Sequence, residues 1–380
     1  MRANVFTDKS LARQAGRFVW LAMNTEQAVN APLRKQFPVA ALPTYLVVDP
    51  EDEKIALRWV GGATVPQLHK LLDDGVAAVE RKPGARGLDA LLATADGHYA
   101  AQEDSAAAVA YREVLAQAPA DWPQRARVVD ALLFAQQMAD DNPACLALAQ
   151  AELPRYRGTP TGLGLALGGL DAALALPAED PDRAKLVAGF EAAARAALAD
   201  TALKVSDDDR SSVYGTLVAA RDDAGDTTGK QQLAAEWADF LDAAAARAQT
   251  PEQRTVYDSH RLTACLQAGT PERVVPVLQA AERDLPDDYN PPARLALAYK
   301  ALKQYDDALA ASDRALARVY GPRQLVVLQA RADIYAEQGD QASARRTLEE
   351  ALVAAAALPA GQRSERQIAA LKKKLEGMQP

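Results

Sequence analysis

Residues 299–351, YKALKQYDDALAASDRALARVYGPRQLVVLQARADIYAEQGDQASARRTLEEA, repeat themselves at a fixed distance. Tyr299 and Tyr335 stand 36 positions apart, as do Ala308 and Ala344, and Ala315 and Ala351. Within each copy the first alanine follows the tyrosine by 9 positions and the second alanine follows the first by 7. A fixed period of a few tens of residues marks an array whose units cannot bury their apolar faces alone and must stack. Alanines at these points let two helices approach closely, and the tyrosine fills the groove between them. Gly339-Asp340 supplies the turn between the helices of the second copy, and Lys303-Gln304 stands there in the first.

The aromatic-then-small spacing resembles the tetratricopeptide repeat (TPR) family, whose unit is about 34 residues long. The turn at Tyr320-Gly321-Pro322 can absorb the extra length. The resemblance implies helical hairpins stacked into a curved surface, with a protein or peptide ligand on it. A weaker copy spans Leu88 to Pro119, where Ala95, Ala107, Tyr111 and Pro119 fit the frame and His98 takes the aromatic position. Between the copies lie further expected helix pairs: Pro123–Ala139 with Pro143–Leu153, Gly162–Leu176 with Pro181–Ala199, and Ser211–Asp222 with Lys230–Ala248. Thr255–Ala268 with Glu272–Asp284 leads into the better copies. Residues 88–380 therefore read as a TPR-like α-solenoid of about six or seven hairpins.

The first eighty residues read differently. Phe18–Met23, Thr44–Val48 and Ile55–Val60 are short apolar runs, expected as strands. Glu26–Phe37 is expected as a helix, with Pro32 as an irregularity, and Val65–Val79 as an amphipathic helix with Pro66 in its first turn. Pro43 stands just before a strand, and Gly61-Gly62 follows the next one. This order resembles the back two-thirds of a thioredoxin-like domain. The resemblance implies that Pro43 is a cis proline, facing a Cys-x-x-Cys that this chain lacks. It also implies that Met1–Asp8 is the exit of the helix that follows that motif, with a central strand missing before it. Three explanations are open: a misassigned start, a truncated chain, or a remnant whose strands re-pair directly. The expected organisation is a mostly α chain, with a partial thioredoxin-like α/β domain at 1–80, a breaker-rich linker at 81–87, and the solenoid at 88–380.

Composition limits the function classes. The chain has 380 residues, 49% of them hydrophobic and 25% charged, in the range of ordinary globular proteins. A net charge of −8 argues against a nucleic-acid partner, which would need a basic surface. The basic stretch Arg363–Lys374 reads as a helix end whose cations suit the negative pole of the helix dipole. The longest apolar run, Thr161–Leu176, is interrupted by Asp171 and is too short to cross a bilayer, so no membrane partner is expected. No signal peptide opens the chain, so a cytoplasmic location is expected as written. A leader upstream would instead imply the periplasm or secretion.

Candidate chemistry is sparse. Cys145 and Cys265 form no Cys-x-x-Cys and no metal spacing, and are expected as buried helix thiols. His69, His98 and His260 belong to no metal motif. Ser259 and His260 are adjacent on an expected helix, so they diverge and cannot form a nucleophile–base pair. Asp222–Asp226 lacks the glycine of a calcium loop and reads as a turn. Asp207–Asp209 reads as a solvated helix start. Gly164 and Gly168 suggest close helix packing, and Pro286–Pro292 reads as a rigid spacer. No catalytic residue, metal site or cofactor is expected. The expected function is a protein-interaction module, the solenoid carrying a redox-inactive thioredoxin-like piece. The alternative is a thiol–disulfide oxidoreductase whose cysteines lie upstream of Met1.

Overall fold

A computed structural model of the chain describes residues 5–39, 41–80 and 86–378. Met1–Asn4 of the expected helix exit at Met1–Asp8, and residues 81–85 of the expected linker, lie outside them, and Val5–Asp8 are not helical. In chain order, a short helix α1 (Ala31–Gln36) precedes a hairpin of β1 (Thr44–Val48) and β2 (Ile55–Val60), and then α2 (Val65–Val79). Paired helices follow: α3 (Leu88–Ala100) and α4 (Asp104–Gln117), α5 (Arg125–Met138) and α6 (Asn142–Tyr156), α7 (Pro160–Leu174) and α8 (Arg183–Ala199), α9 (Asp207–Asp223) and α10 (Thr227–Ala246). The short α11 (Pro251–Thr255) leads into α12 (Asp258–Ala268) and α13 (Val275–Asp284). Then come α14 (Asn290–Ala301) and α15 (Tyr305–Leu316), α16 (Arg323–Gln338) and α17 (Gln341–Ala357), and a final α18 (Glu365–Glu376). This is a mostly α protein built of helical hairpins, with a two-stranded sheet near its N-terminus.

Contacts group the chain into two units: Met1–Ala12 with Ala41–Lys230, and Arg13–Ala40 with Gln231–Pro380. Residues 1–80 are thus shared between the units, and the division falls within α10 rather than at 81–87.

In the N-terminal unit, β1 and β2 are antiparallel, with Leu46 opposite Arg58. Their charged turn folds on its own side chains: Glu51 N donates to Asp49 Oδ1 at 2.9 Å and Lys54 N to Asp52 Oδ1 at 3.0 Å. Helix α2 starts with a capping box of Thr64 and Gln67. It lies directly on β1 at Gly75, where a methyl would come within 2.6 Å of Val47 Cγ2. The other side of the hairpin packs on α3. Arg58, only 4% exposed, donates to the Tyr99 carbonyl at 3.0 Å and lies 4.9 Å from the Tyr99 ring centre. The hairpin therefore shares a core with the first helical pair. Tyr99, one position past the expected His98, is the deeply buried aromatic there, while His98 stays near the surface and bonds Glu103 at 2.5 Å.

Between α3 and α5 the Arg127 guanidinium grips both Asp96 oxygens, at 2.9 and 3.2 Å, and Tyr111 donates to the same carboxylate at 2.8 Å. Ionic partners this deep are stable only when their remaining valences are also met, and Gln124 takes the Arg127 Nε–H at 3.1 Å. In the C-terminal unit, Leu328, Ala332, Leu348, Ala351 and Leu371 form one apolar cluster joining α16, α17 and α18.

The turns inside six of the hairpins, though not that of α7 and α8, repeat one device. Gln102, Asp140, Gly225, Gly269, Lys303 and Gly339 all take positive φ, at 60°, 55°, 66°, 74°, 59° and 95°. Asp140 and Gly225 carry the device into two of the hairpins whose tyrosine–alanine pattern is weak, and the α7–α8 hairpin between them lacks it.

Phe18–Met23 is not a strand. Val19 and Leu21 are 90% and 82% exposed. An isolated extended run has no neighbour to take its backbone hydrogen bonds or cover its apolar face. The expected helix over Glu26–Phe37 is shorter, with a 3₁₀ turn at Ala28–Asn30 followed by α1, which Pro32 helps to start.

Candidate functional site

The residues set by the repeat spacing build the scaffold. Ala308, Ala315, Ala344 and Ala351 are fully buried at 0% exposure, where any larger side chain would push paired helices apart. Tyr299 and Tyr335 are half-buried. Tyr299 Oη accepts from Gln279 Nε2 at 2.9 Å. Tyr335 Oη accepts from Arg331 Nη2 at 3.1 Å, with that guanidinium 5.3 Å from its ring centre. These six side chains, on α14 to α17, pack the repeats, and none of them lines the open faces of α12, α14 and α16.

Those open faces line a groove of about 750 Å³ in the C-terminal unit. Ala293, Leu297, Val326 and Ala330 give it an apolar floor, with Ser259, Asn290, Arg294 and Arg323 as polar points. Val326 is 49% exposed despite being apolar. Arg294 makes no hydrogen bond or ion pair with any described residue. Burial works against its charge, and Asp258, Asp288 and Tyr289 partly offset that cost through space. Ser312 is 1% exposed and its hydroxyl has no partner among the described residues. Asp258, beneath the groove, is fully buried, and burial pushes its carboxyl up to about 6 against the pull of Arg261 and Arg294. A groove with apolar floor, half-buried cations and unmet donors can take a polypeptide segment through side chains and carbonyls alike.

One wall of the groove comes from far away in sequence. Glu26 accepts from Arg323 Nε at 2.5 Å and from Tyr289 Oη at 3.4 Å. Burial, then the nearby Glu26 charge, push the Tyr289 phenol up to about 12. Asp287, Asp288 and Tyr289, in the Pro286–Pro292 stretch expected as a spacer, also line the groove. Asp288 is engaged locally, accepting from the Asn290 N–H at 2.8 Å as α14 begins. Nothing in the sequence signals the Glu26–Arg323 pair, whose members are 297 positions apart. The proline-rich loop is the one available hint.

The remaining candidates are structural. The Leu42–Pro43 bond is cis, and the Pro43 carbonyl accepts from Gly61 N at 2.9 Å, closing the open end of the β-hairpin. Cys145 on α6 and Cys265 on α12 are buried free thiols. Burial pushes Cys145 up to about 11 and raises Cys265 as well. His69 shares a hydrogen bond with Ser10 Oγ at 2.9 Å, and His260 packs edge-on against Trp237, away from Ser259. Asp226 accepts from Gly229 N at 2.9 Å and Asp222 pairs with Lys230 at 2.6 Å, so that cluster starts α10. Among the described residues no group of three His, Cys, Asp or Glu could hold a metal. No described helix is long and apolar enough to cross a membrane. Gly168 and Gly169 are the close-packed glycines, against Leu133 and the Phe190 ring; Gly164 has nothing within 4 Å and lines a smaller cavity of about 330 Å³ in the N-terminal unit. Asp130, on the wall of that cavity, is pushed up to about 7 by burial, against a hydrogen bond from Thr161.

Residues 289–356 match the tetratricopeptide repeat family model. No curated protein sequence matches the chain. Among solved structures, a tetratricopeptide repeat protein from Parabacteroides merdae is 9% identical and aligns over 76% of this chain and 97% of its own, with a TM-score of 0.49. The TPR2AB domain of yeast Sti1, solved as a complex with pHSP90, is 14% identical over 76% of this chain and 98% of its own, at 0.29. A thermophilic TPR protein from Thermus thermophilus is 15% identical over 77% and 98%, at 0.24. At these identities and scores no property of those proteins transfers to this chain.

Proposed function

We propose that the C-terminal unit is a protein-interaction module that binds a segment of another protein in the groove between α12, α14 and α16. The observation that carries this reading is the groove itself: an apolar floor with an exposed Val326, flanked by Arg294 and Arg323, within the stretch that matches the TPR model. The tyrosines and alanines that pack the repeats do not line it, and the apolar floor and Arg294 are what it offers a ligand. Leu297→Glu and Val326→Glu place carboxylates on that floor without touching the buried alanines. Affinity capture with the full chain is expected to recover a discrete partner that both variants lose while their helical signal and melting point stay unchanged. Capture indifferent to both substitutions would place the binding surface elsewhere.

On this reading the chain as given is not an enzyme, and the Pro43 hairpin is a cover for α3. Its thiols are buried, and burial disfavours the thiolate that disulfide exchange requires. The expected outcome is no reduction of a test disulfide above the uncatalysed rate. Turnover lost in Cys145→Ser or Cys265→Ser would overturn this.

A further inference from the structure

We propose that residues 24–31 are an internal ligand of the C-terminal repeats. The strip they cover is then a docking site for a turn-forming segment with an acidic residue and, five positions later, a small one. This rests on the reading of the unit as a peptide-binding module and specifies its ligand.

The segment is held at the starts of α14 and α16 and at the 3₁₀ turn (Ala360–Gln362) before α18. Asn24 Nδ2 donates to Tyr320 Oη at 2.8 Å, Glu26 takes the Arg323 and Tyr289 donors, and Gln362 Nε2 donates to the Thr25 carbonyl at 3.2 Å. Gln362 is itself only 2% exposed. Two glycines admit the backbone. A methyl on Gly321 would stand 2.1 Å from the Glu26 carbonyl oxygen, and one on Gly361 would stand 2.5 Å from that of Ala31. Gly321 also needs its positive φ of 59°, but Gly361 has no such requirement and is kept open by the passing chain alone.

The segment brings little that would hold it permanently. Ala31 is its buried apolar residue, at 7% exposure, while Val29 is 77% exposed. The bonds to Tyr320 and Arg323 are polar and solvent-exposed and open at low cost, which is the signature of an exchangeable element. Glu26 also stands at the edge of a larger unmet demand. Beyond it in the same groove lie Arg294, without a hydrogen bond to any described residue, and the unpartnered Ser312 hydroxyl. Asp287, Asp288 and the buried Asp258 face this region too and exclude a general anion site. A carboxylate therefore gains only where Arg323 and Tyr289 meet it directly. The stated ligand follows: an acidic side chain for Arg323, open carbonyls at Gly321 and Gly361, and a small residue where Ala31 is buried.

The probe is a fluorescent peptide of residues 20–37 added in trans to the full-length chain and followed by anisotropy. Glu26→Gln in the chain loosens the resident segment and leaves the strip intact. It is expected to raise peptide affinity about tenfold or more over the unaltered chain, because the tethered segment competes at high effective concentration. Asn24→Ala should shift affinity the same way through Tyr320. Arg323→Ala or Gly361→Ala should abolish binding, and so should a glutamine at the Glu26 position of the peptide. Equal affinity for the unaltered and Glu26→Gln chains, no binding to either, or binding indifferent to Gly361→Ala would each overturn the proposal. If Val326→Glu abolishes capture of a protein partner while the peptide never binds, the module reading stands and this one falls. If the peptide binds as described and no partner is captured, the reverse holds.

Discussion

Lys303 carries a left-handed backbone, φ 59°, at the turn where the next hairpin has Gly339 at 95°. An L-residue there loses about 1–2 kcal/mol to the clash of Cβ with its own carbonyl, partly offset by the freedom a glycine would lose on folding. Lys303→Gly is expected to stabilise the protein by about 0.5–1 kcal/mol, read as a higher urea midpoint at unchanged slope. Asp258 offers a pH test. Its folded carboxyl is raised to about 6 from the ordinary 3.8, so between about pH 4 and 6 the folded state holds more proton than the unfolded one. Stability must then fall as pH rises through that window, and the cost is fully present above it. Asp258→Asn removes this cost, and its melting point should decline less than that of the parent between pH 4 and pH 7. A parallel decline in both would mean the carboxylate is already satisfied.

At the scale of elements, the buried Asp96–Arg127 pair ties α3 to α5. Removing one member leaves a charge without its partner, so Arg127→Ala is expected to cost about 3–5 kcal/mol in chemical denaturation. The paired replacement Asp96→Leu with Arg127→Met should cost much less. At the α14–α15 contact, Ala308→Leu would add bulk at a fully buried site and is expected to destabilise by about 1–3 kcal/mol.

Elements are legible where the sequence states its own boundary. Thr44–Val48, Ile55–Val60 and Val65–Val79 begin and end as expected, because Asp49-Pro50, Gly61-Gly62 and the Thr64 cap punctuate them. The helix pairs of the middle region are likewise legible, set off by Pro, Gly and Asp. Phe18–Met23 misleads because an apolar run signals β-propensity but carries no information about a pairing partner. Arg58 looks like an interruption in an apolar strand. Its burial depends on Tyr99 and Phe134, which reach it only through the fold. The groove is the least legible feature, because its parts come from α12, α14, α16 and Glu26, and no local pattern links them.

For the molecule as a whole, the protein is a set of helical hairpins in two units, with its argued function in the C-terminal one. The N-terminal unit supplies a β-hairpin fused to the first helical pair and a buried ionic link. The C-terminal unit supplies an open groove and a stretch of its own chain laid along the edge. Residues 44–79 form a strand–turn–strand–helix preceded by the cis Leu42–Pro43 bond, and Cys145 and Cys265 are buried in helices α6 and α12. Occupation of the α12, α14 and α16 groove by a partner protein is tested most directly by placing a photo-crosslinking amino acid at Val326, on the groove floor. A second protein carries it at Val353, which is 72% exposed on α17 and does not line the groove. A discrete protein adduct is expected from position 326 and none from position 353. Adducts of equal yield at both positions, or an adduct from 353 alone, would show that the partner does not sit in the groove.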